Sequence, residues 1–497
     1  MRATALSARG SAAIVLVAAL ALHAHTVAFG FTGLDDRDLI VGDRAFLADP
    51  SNLLRVFGRS YLHVVDPSHV YWRPLVTASY VLDAQWSGER PWGYHATNVV
   101  LYAVASVLVL ALLRRLGLGR ALALAGALVL AVHPALASAV AWIPGRNDTL
   151  LAVMALASWV LFLEKRWLAH LVFFALALTA KETALVLPVL WGLQLAGGHG
   201  RRDRRRGWVA GAWAALVVAR FVVHPGAPHA SAGELLASLP VVPIALGKLV
   251  FPVGPTVLAV VGDLSMWPGL VAGIAMALAA WRLGRVRRSV VGFGALAFLL
   301  FLVPVLAVPG TLVLDHRLVL PAVGVLVVLG ELVRALAPER RLLTAFAAVG
   351  VAALALVTFA FEGAFRDPGR FAREAVAGSP RSPMAHFCLG QVEQRAGHDD
   401  RALAEYRTAL ALGPAEVVHN DIGVLAMKNG RWPEAEAELR AELALNPGYA
   451  TAEYNLAIVL RREGRRSEAC EAVKSALEGS LASDEGALRE RDVDCVP

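Results

Sequence analysis

The sequence predicts an all-α fold in two parts: a polytopic membrane domain of about eleven spans, then a short domain of helical repeats. Three observations carry that prediction. The 497-residue chain is 57% hydrophobic with a mean hydropathy of +0.57, too apolar for a soluble protein of this size. Its apolar runs are long and recur from residue 11 to residue 361. Beyond residue 384 the pattern changes to a repeat of 33–34 residues.

The spans are expected at 11–29, 96–113, 121–140, 149–163, 167–180, 184–197, 207–223, 268–281, 289–308, 318–336 and 342–361. Basic clusters follow every second one: Arg114, Arg115 and Arg120; Lys165 and Arg166; Arg201 to Arg206; Arg282 to Arg288; Arg340 and Arg341. Such clusters mark cytoplasmic loops. The segment 241–262 would break the alternation if it crossed, and it carries Lys248 and the prolines 243, 252 and 255. It is read as a re-entrant or interfacial helix on the outer side. The N-terminus is then inside and the tail outside. Span 1, preceded by Arg2 and Arg9, has a rival reading as a cleaved signal peptide, and on either reading residues 31–95 lie outside.

Charge divides along the chain. Residues 384–497 hold 13 Lys/Arg against 20 Asp/Glu, a net of −7, which leaves +14 on the membrane part. That excess sits in short loops, so it is a topology signal and no nucleic-acid partner is expected. The three cysteines, Cys388, Cys470 and Cys495, show no metal or disulfide spacing, and the redox compartment stays open.

In the tail Gly397, Gly430 and Gly464 align, as do Ala402, Ala435 and Ala469, and Pro414 with Pro447. Gly390, Gly423 and Ala457 hold the small position where two helices cross closely. This is the tetratricopeptide pattern, and three units are near the minimum for a stable stack. The expected division is a membrane domain at 1–365, a linker at 366–383, repeats at 384–480 and a tail at 481–497. Such repeats dock partners and supply no catalysis.

The uncommon polar residues of the membrane part gather in the outer loops. They are Asp35, Asp36 and Asp38; Tyr71 to Arg73; Tyr94 and His95; His133; Arg146 to Asp148; Lys181 and Glu182; and Asp315 to Arg317. A one-sided collection of acids and bases at membrane depth marks a site by default. The adjacent pair Asp35–Asp36 gains nothing from packing there, but suits taking a proton from a hydroxyl beside a substrate carried in the membrane. Local roles compete. An acid of the pair could cap a loop helix, Arg73 could anchor at the interface, His133-Pro134 could end a span, and Asn147 or Asp148 could cap span 4 after a turn at Gly145. Lys181 and Glu182 could pair locally, and Tyr94 and His95 could belong to an interfacial belt.

Six segments stand in order: FTGLDDRDLI, YWRPLVTASY, PWGYHATNVVLY, AVHPALASAVAWIPGRND, AKETALVLPV and LDHRLVLPAVG. Together they resemble the GT-C superfamily of polyprenyl-phosphate-dependent membrane glycosyltransferases. The match is with its branch carrying C-terminal tetratricopeptide repeats, the transmembrane O-mannosyltransferases that act on cadherins, and bacterial relatives. It covers about residues 10–340 and then the repeats. Two departures are His316, where that family usually has an acid before the arginine, and a count of only three repeats.

The resemblance implies inverting transfer of a mannose-like sugar from a polyprenyl phosphate to a Ser/Thr hydroxyl of an exported protein, on the outer membrane face. A phosphate leaves without protonation, so one general base suffices, and cations must hold the departing group. Asp35 or Asp36 is the expected base. Arg146, Lys181 and Arg317, with Arg73 in reserve, are the expected phosphate partners. His133, Asp148, Glu182, His316, Tyr94 and His95 are expected in support. No cofactor is implied, and metal dependence stays open. The same site could serve a lipid or polysaccharide acceptor. From other classes, a transporter or flippase would place charges at the midplane on broken helices, and a non-catalytic scaffold would leave the outer polar set without a role.

Overall fold

The computed structural model describes residues 7–61, 71–197, 205–224, 231–252, 254–307, 312–337, 339–413, 417–478 and 495. Arg201 to Arg204, Pro414 and nearly all of 481–497 lie outside the described residues. Helices of ten residues or more are numbered in chain order. The membrane part holds α1 (Ala8–His23), α2 (Pro74–Ser87), α3 (Pro91–Arg115), α4 (Arg120–Ala131), α5 (Arg146–Leu163), α6 (Trp167–Ala180) and α7 (Leu187–Gly197). It continues with α8 (Arg205–Val223), α9 (Val241–Val250), α10 (Trp267–Arg282), α11 (Arg288–Leu306), α12 (Val319–Leu336) and α13 (Arg340–Glu362). The chain then enters α14 (Pro368–Gly378) and three helix pairs: α15 (Pro383–Arg395) with α16 (Asp399–Leu412), α17 (Val418–Lys428) with α18 (Trp432–Leu445), and α19 (Ala450–Arg462) with α20 (Arg466–Glu478).

Among the described residues the all-α expectation holds apart from one two-residue ladder, in which Ala259 and Val260 pair with Val313 and Leu312. It ties the loop after α9 to the loop before α12, and so helps close that end of the bundle. Among the described residues seven helices are long and apolar enough to cross a membrane, or eight if the bent pair Arg120–Ala131 and Pro134–Ala141 is one span. That set departs from the eleven spans expected. Ala232–Val250, part of the segment read as non-crossing from the alternation of basic loops, is long and apolar enough, whereas α10 at 16 residues is not among the seven. Alternation of basic loops is a weak guide where helices are short, as α6, α7 and α8 are. The lysine that argued against 241–262 is neutralised: Lys248 Nζ bonds Asp315 Oδ1 at 2.7 Å and the Thr256 hydroxyl at 2.6 Å.

Packing follows close helix crossings rather than water exclusion, as lipid demands. A Cβ on Gly324 of α12 would stand 2.5 Å from the Gly294 carbonyl oxygen of α11, so only glycines let these backbones meet. The largest apolar cluster joins α1, α3, α4, α5, α6, α7, α11 and α12. α13 packs one face against it through Val351, Leu354 and Ala355, while Phe346, Val349 and Leu356 on the rest of the helix are 70–75% exposed, a surface suited to lipid.

The repeats are as expected where described. In each pair the small residue seats an opposing side chain: a Cβ on Gly390 would meet Tyr406 at 2.5 Å, and one on Gly423 would meet Leu439 at 2.9 Å. The cysteine reading is corrected. Cys470 of α20 is disulfide-bonded to Cys495, and Cys388 alone is free, buried against the first repeat. A 25-residue separation carries no recognisable motif.

Candidate functional site

The Asp35 loop lies between the bundle and the first repeat. Its entry is tied by Gly30 N–H donating to the Arg366 carbonyl at 2.9 Å, and Gly33 turns it with φ +86°, a left-handed conformation that favours glycine. Arg37–Val41 then forms a single π-helical turn, a form that recurs at functional sites. Beneath it Leu39 and Ile40 join Tyr61, Val76, Tyr80, Tyr94 and Ile143 in one apolar cluster.

The two aspartates part company here. Asp36 is fully buried and both oxygens are engaged: Oδ2 accepts from the Thr32 N–H at 2.7 Å and Oδ1 from the Thr32 hydroxyl at 2.6 Å. It braces the turn. Asp35 is half-buried and has no hydrogen-bond or ion-pair partner among the described residues. Burial, then the neighbouring Asp36 and Asp38, push its carboxyl up to about 7, against the pull of Arg73 and Arg317. Neither aspartate caps the following turn through its side chain.

Arg73, Lys181, Glu182 and Arg317 line one cavity of about 330 Å³ together with Tyr71. The rest of its wall is apolar, from Leu185, Val186 and Val189 on one side and Leu300, Val303 and Pro304 of α11 on the other. Pro304 sits inside α11, where it removes a backbone hydrogen bond and loosens the helix beside the opening. Arg73 bonds Glu182 at 3.2 Å and lies over the Tyr71 ring at 4.9 Å. Lys181 bonds Asp148 at 2.6 Å, and burial brings its ammonium down to about 8. The Nε of Arg73 and the Nε of Arg317 are buried without a partner, and Arg317 forms no ion pair among the described residues. His316 Nε2 stands 3.8 Å from Asp148, with its ring edge-on to Trp142. Three cations face two carboxylates here, so the cavity mouth carries one net positive charge.

Arg146 is not among them. It is fully buried and its guanidinium is spent inside the protein: Nε donates to Asn98 at 2.7 Å, one Nη to the Tyr94 carbonyl at 2.6 Å, the other to Ser79 at 3.1 Å, with Asp83 2.5 Å away. It pins α2, α3 and α5 together. The expected caps of span 4 are also absent. α5 begins at Arg146 with no side-chain cap, and the Asn147 amide donates to the Tyr61 hydroxyl and the Pro144 carbonyl instead. Gly145 is needed for close approach rather than a turn, since a Cβ would fall 2.4 Å from the Ser138 carbonyl.

His133 bridges inside the bundle, accepting from Ala135 N–H and lying 3.2 Å from the Leu249 carbonyl, and so reads as structural. Tyr94 donates to the Gly88 carbonyl, and His95 lies 3.3 Å from the Gly30 carbonyl, beneath the entry to the Asp35 loop. Both are buried, so neither is a belt residue. Sequence reasoning missed Tyr61 and the Asp83–Asn98 pair that holds Arg146. Asp83 had a signal: it is a lone acid in the otherwise uncharged helix α2.

The fold and this site define a multi-pass membrane protein with a one-sided polar centre and appended tetratricopeptide repeats. The Tetratricopeptide repeat family matches residues 420–485. Protein O-mannosyl-transferase Tmtc1 of Drosophila melanogaster is 37% identical over 184 residues, covering 35% of this chain and 21% of that one. Tmtc2 of the same fly is 30% identical over 231 residues, covering 42% and 24%, and mouse TMTC3 is 34% identical over 99 residues, covering 20% and 11%. The matched stretch thus spans less than a quarter of these relatives' own lengths. A solved structure, the APC/C hetero-tetramer Cut9–Hcn1, aligns over 90% of this chain and 92% of that chain at 12% identity with a TM-score of 0.28, which carries no argument. The resemblance carried by the six segments is borne out: the chain is similar to the protein O-mannosyl-transferases and bears tetratricopeptide repeats.

Proposed function

We propose that the chain transfers a sugar, mannose by analogy with its relatives, from a polyprenyl phosphate to a Ser or Thr hydroxyl of an exported protein. The observation that carries the reading is the pairing of an unpartnered, proton-accepting Asp35 with a cationic cavity continued by an apolar wall. A phosphate-linked lipid needs both halves of that cavity. Its single-charge head meets the net positive mouth, and its chain lies against Val186, Val189, Leu300 and Val303.

In the step, the acceptor oxygen attacks the anomeric carbon as its proton passes to Asp35, and the carbon–oxygen bond to the phosphate breaks. The polyprenyl phosphate leaves with the bonding electrons, and configuration inverts. The leaving group gains a second negative charge, which Arg317 and Arg73 meet with buried Nε donors that have no partner among the described residues. Glu182 and Asp148 hold Arg73 and Lys181 in position. Asp36, through Thr32, fixes the turn that presents Asp35.

The disulfide in the repeat domain supports placing the tail on the oxidising, non-cytoplasmic side with the Asp35 loop. The test is purified protein with radiolabelled polyprenyl-phosphate mannose and a panel of peptide, lipid and glycan acceptors. Label in a peptide is the expected result. Label only in lipid or glycan, or in no acceptor while the protein is folded, overturns it.

A further inference from the structure

α13 is fastened to the bundle at one end and held off it at the other. Near its C-terminal end the Thr358 hydroxyl donates to the Val132 carbonyl at 2.7 Å, and Glu362 is buried against His23 Nδ1 at 2.5 Å. Toward its N-terminal end only small side chains meet, Ala121 and Ala125 of α4 with Ala347 and Ala348 of α13, and a cavity of about 350 Å³ opens between these helices and Ser11 of α1. Its wall is apolar except where the three helices begin, at Ser11, Arg120 and Thr344. Arg120 heads α4, and Arg341 stands seven residues before Ala348, two helical turns along the same face of α13. Both arginines are exposed, and neither has a hydrogen-bond or ion-pair partner among the described residues. On the side of the bundle that carries the basic loops, Glu164 is taken by Arg115 and Glu331 by Arg287 and Arg334, which leaves Glu339 exposed at the start of α13.

We propose that this cavity binds one anionic phospholipid of the surrounding bilayer, with an acyl chain between α4 and α13 and the headgroup phosphate on Arg120 and Arg341. Two observations choose this occupant. Spread along α4 from Arg120 to Leu128, eight rises of about 1.5 Å, the volume has a cross-section of about 30 Å². A helix about 10 Å across needs roughly 80 Å², so a chain of methylenes fits where a partner helix does not. Charge then selects the head. Basic sites at the ends of membrane helices attract anionic lipid heads, and a zwitterionic head would add an ammonium where two guanidiniums already lack a counter-ion. The lipid supplies the contact that α13 lacks at this end. Because α13 leads through α14 to the first repeat, which packs on Leu34 of the Asp35 loop, the lipid stiffens the link between bundle and repeats.

The experiment uses the full chain, purified in detergent and stripped of lipid, with phosphatidylglycerol or phosphatidylcholine of identical chains added back. Native mass spectrometry counts the retained lipid, and melting temperature is read on the same samples. Phosphatidylglycerol is expected to be held as a single adduct about thirtyfold more tightly than phosphatidylcholine, about fivefold for each arginine at the headgroup, and to raise the melting temperature. Arg120→Gln combined with Arg341→Gln, at two exposed positions, should erase that preference. Arg288→Gln, exposed on the same side at the head of α11, should leave it intact. Ala347→Phe fills the cavity and should remove the adduct of either lipid; the arginine variants keep the test decisive if this one fails to fold. Three results each overturn the proposal: equal retention of the two lipids, a preference lost as fully in Arg288→Gln as in the double variant, or a dimer that replaces the adduct and is broken by Ala347→Phe.

Discussion

Replacing Asp35 with asparagine separates the two consequences of its position. Asparagine keeps the shape and removes the proton acceptor. Loss of a positioned base costs on the order of 10²–10⁴ in turnover, so Asp35→Asn should fall by that factor while donor binding holds. Wild-type kcat/KM should rise about tenfold per pH unit below pH 7 and flatten above it, because the carboxyl is pushed up to about 7 and only its ionised form accepts a proton. The same burial has a thermodynamic side. An acid raised above its ordinary value near 3.8 is comfortable neutral, so the folded state loses stability as pH rises from about 4 and the loss is complete above about 7. At 1.36 kcal/mol per pH unit, the span from 3.8 to about 7 bounds the loss near 4 kcal/mol. Asp35→Asn should therefore melt higher than wild type at pH 8 and like wild type at pH 4. The assays are a pH–rate profile and thermal melts in detergent at both pH values. A variant that kept its turnover, or a wild-type profile flat between pH 6 and 8, would refute the reasoning.

Three further outcomes are expected. Arg317→Ala should lose about 10²–10³ in turnover at normal membrane abundance, and Arg317→Lys should recover it only in part, since an ammonium cannot meet two phosphate oxygens at once; wild-type kinetics in both would remove Arg317 from the site. Arg146→Ala should instead lower abundance and thermal stability by about 3–5 kcal/mol, because it leaves Asp83 buried and unpaired; a stable variant defective only in donor affinity would return it to the phosphate set. Cysteines placed at the exposed Glu89 and Thr408 should react with an impermeant maleimide from the outer side, and one at Lys165 only after permeabilisation; protection of Thr408 would place the repeats inside.

How much of this was legible in the sequence depends on the range of the interaction that decides each feature. The repeats were, because a tetratricopeptide pair is fixed by local packing at Gly390 and Gly423, and such packing repeats in the sequence. The polar set was legible as a set, since charge at membrane depth needs a reason. Its partition was not. Arg146 and Arg317 look alike in sequence, each at the head of an apolar helix with an acid two residues away, Asp148 and Asp315. Only the tertiary neighbours Asn98, Asp83 and the Tyr94 carbonyl absorb the first, while nothing among the described residues pairs with the second. The aspartates divide the same way, through Thr32, four residues upstream and unremarkable as a letter. The place of 241–262 was not legible where Lys248 counted as a bare charge, since its pairing with Asp315 lies 67 residues away.

A base poised near neutrality has to be kept from two rivals: water, which would ionise it freely, and a cation, which would hold it ionised and unreactive. The loop solves both by its location. Leu34 is packed under α15 and Leu39 and Ile40 under the bundle, so the turn is shielded on both sides while Asp35 itself stays half-buried. Of the two cations that oppose its raised value, Arg73 is held by its own acid, Glu182. On the proposed reading, an arriving phosphate would draw Arg317 and Arg73 further toward itself and weaken their pull on Asp35. The carboxylate would then become a stronger base only when donor is present, which limits proton transfer to occupied sites. That coupling predicts a direction: saturating donor should move the pH–rate midpoint upward from that of the free enzyme, so kcat should show a higher apparent value than kcat/KM for the peptide at low donor. Identical midpoints would mean that the cations and the base do not share one site.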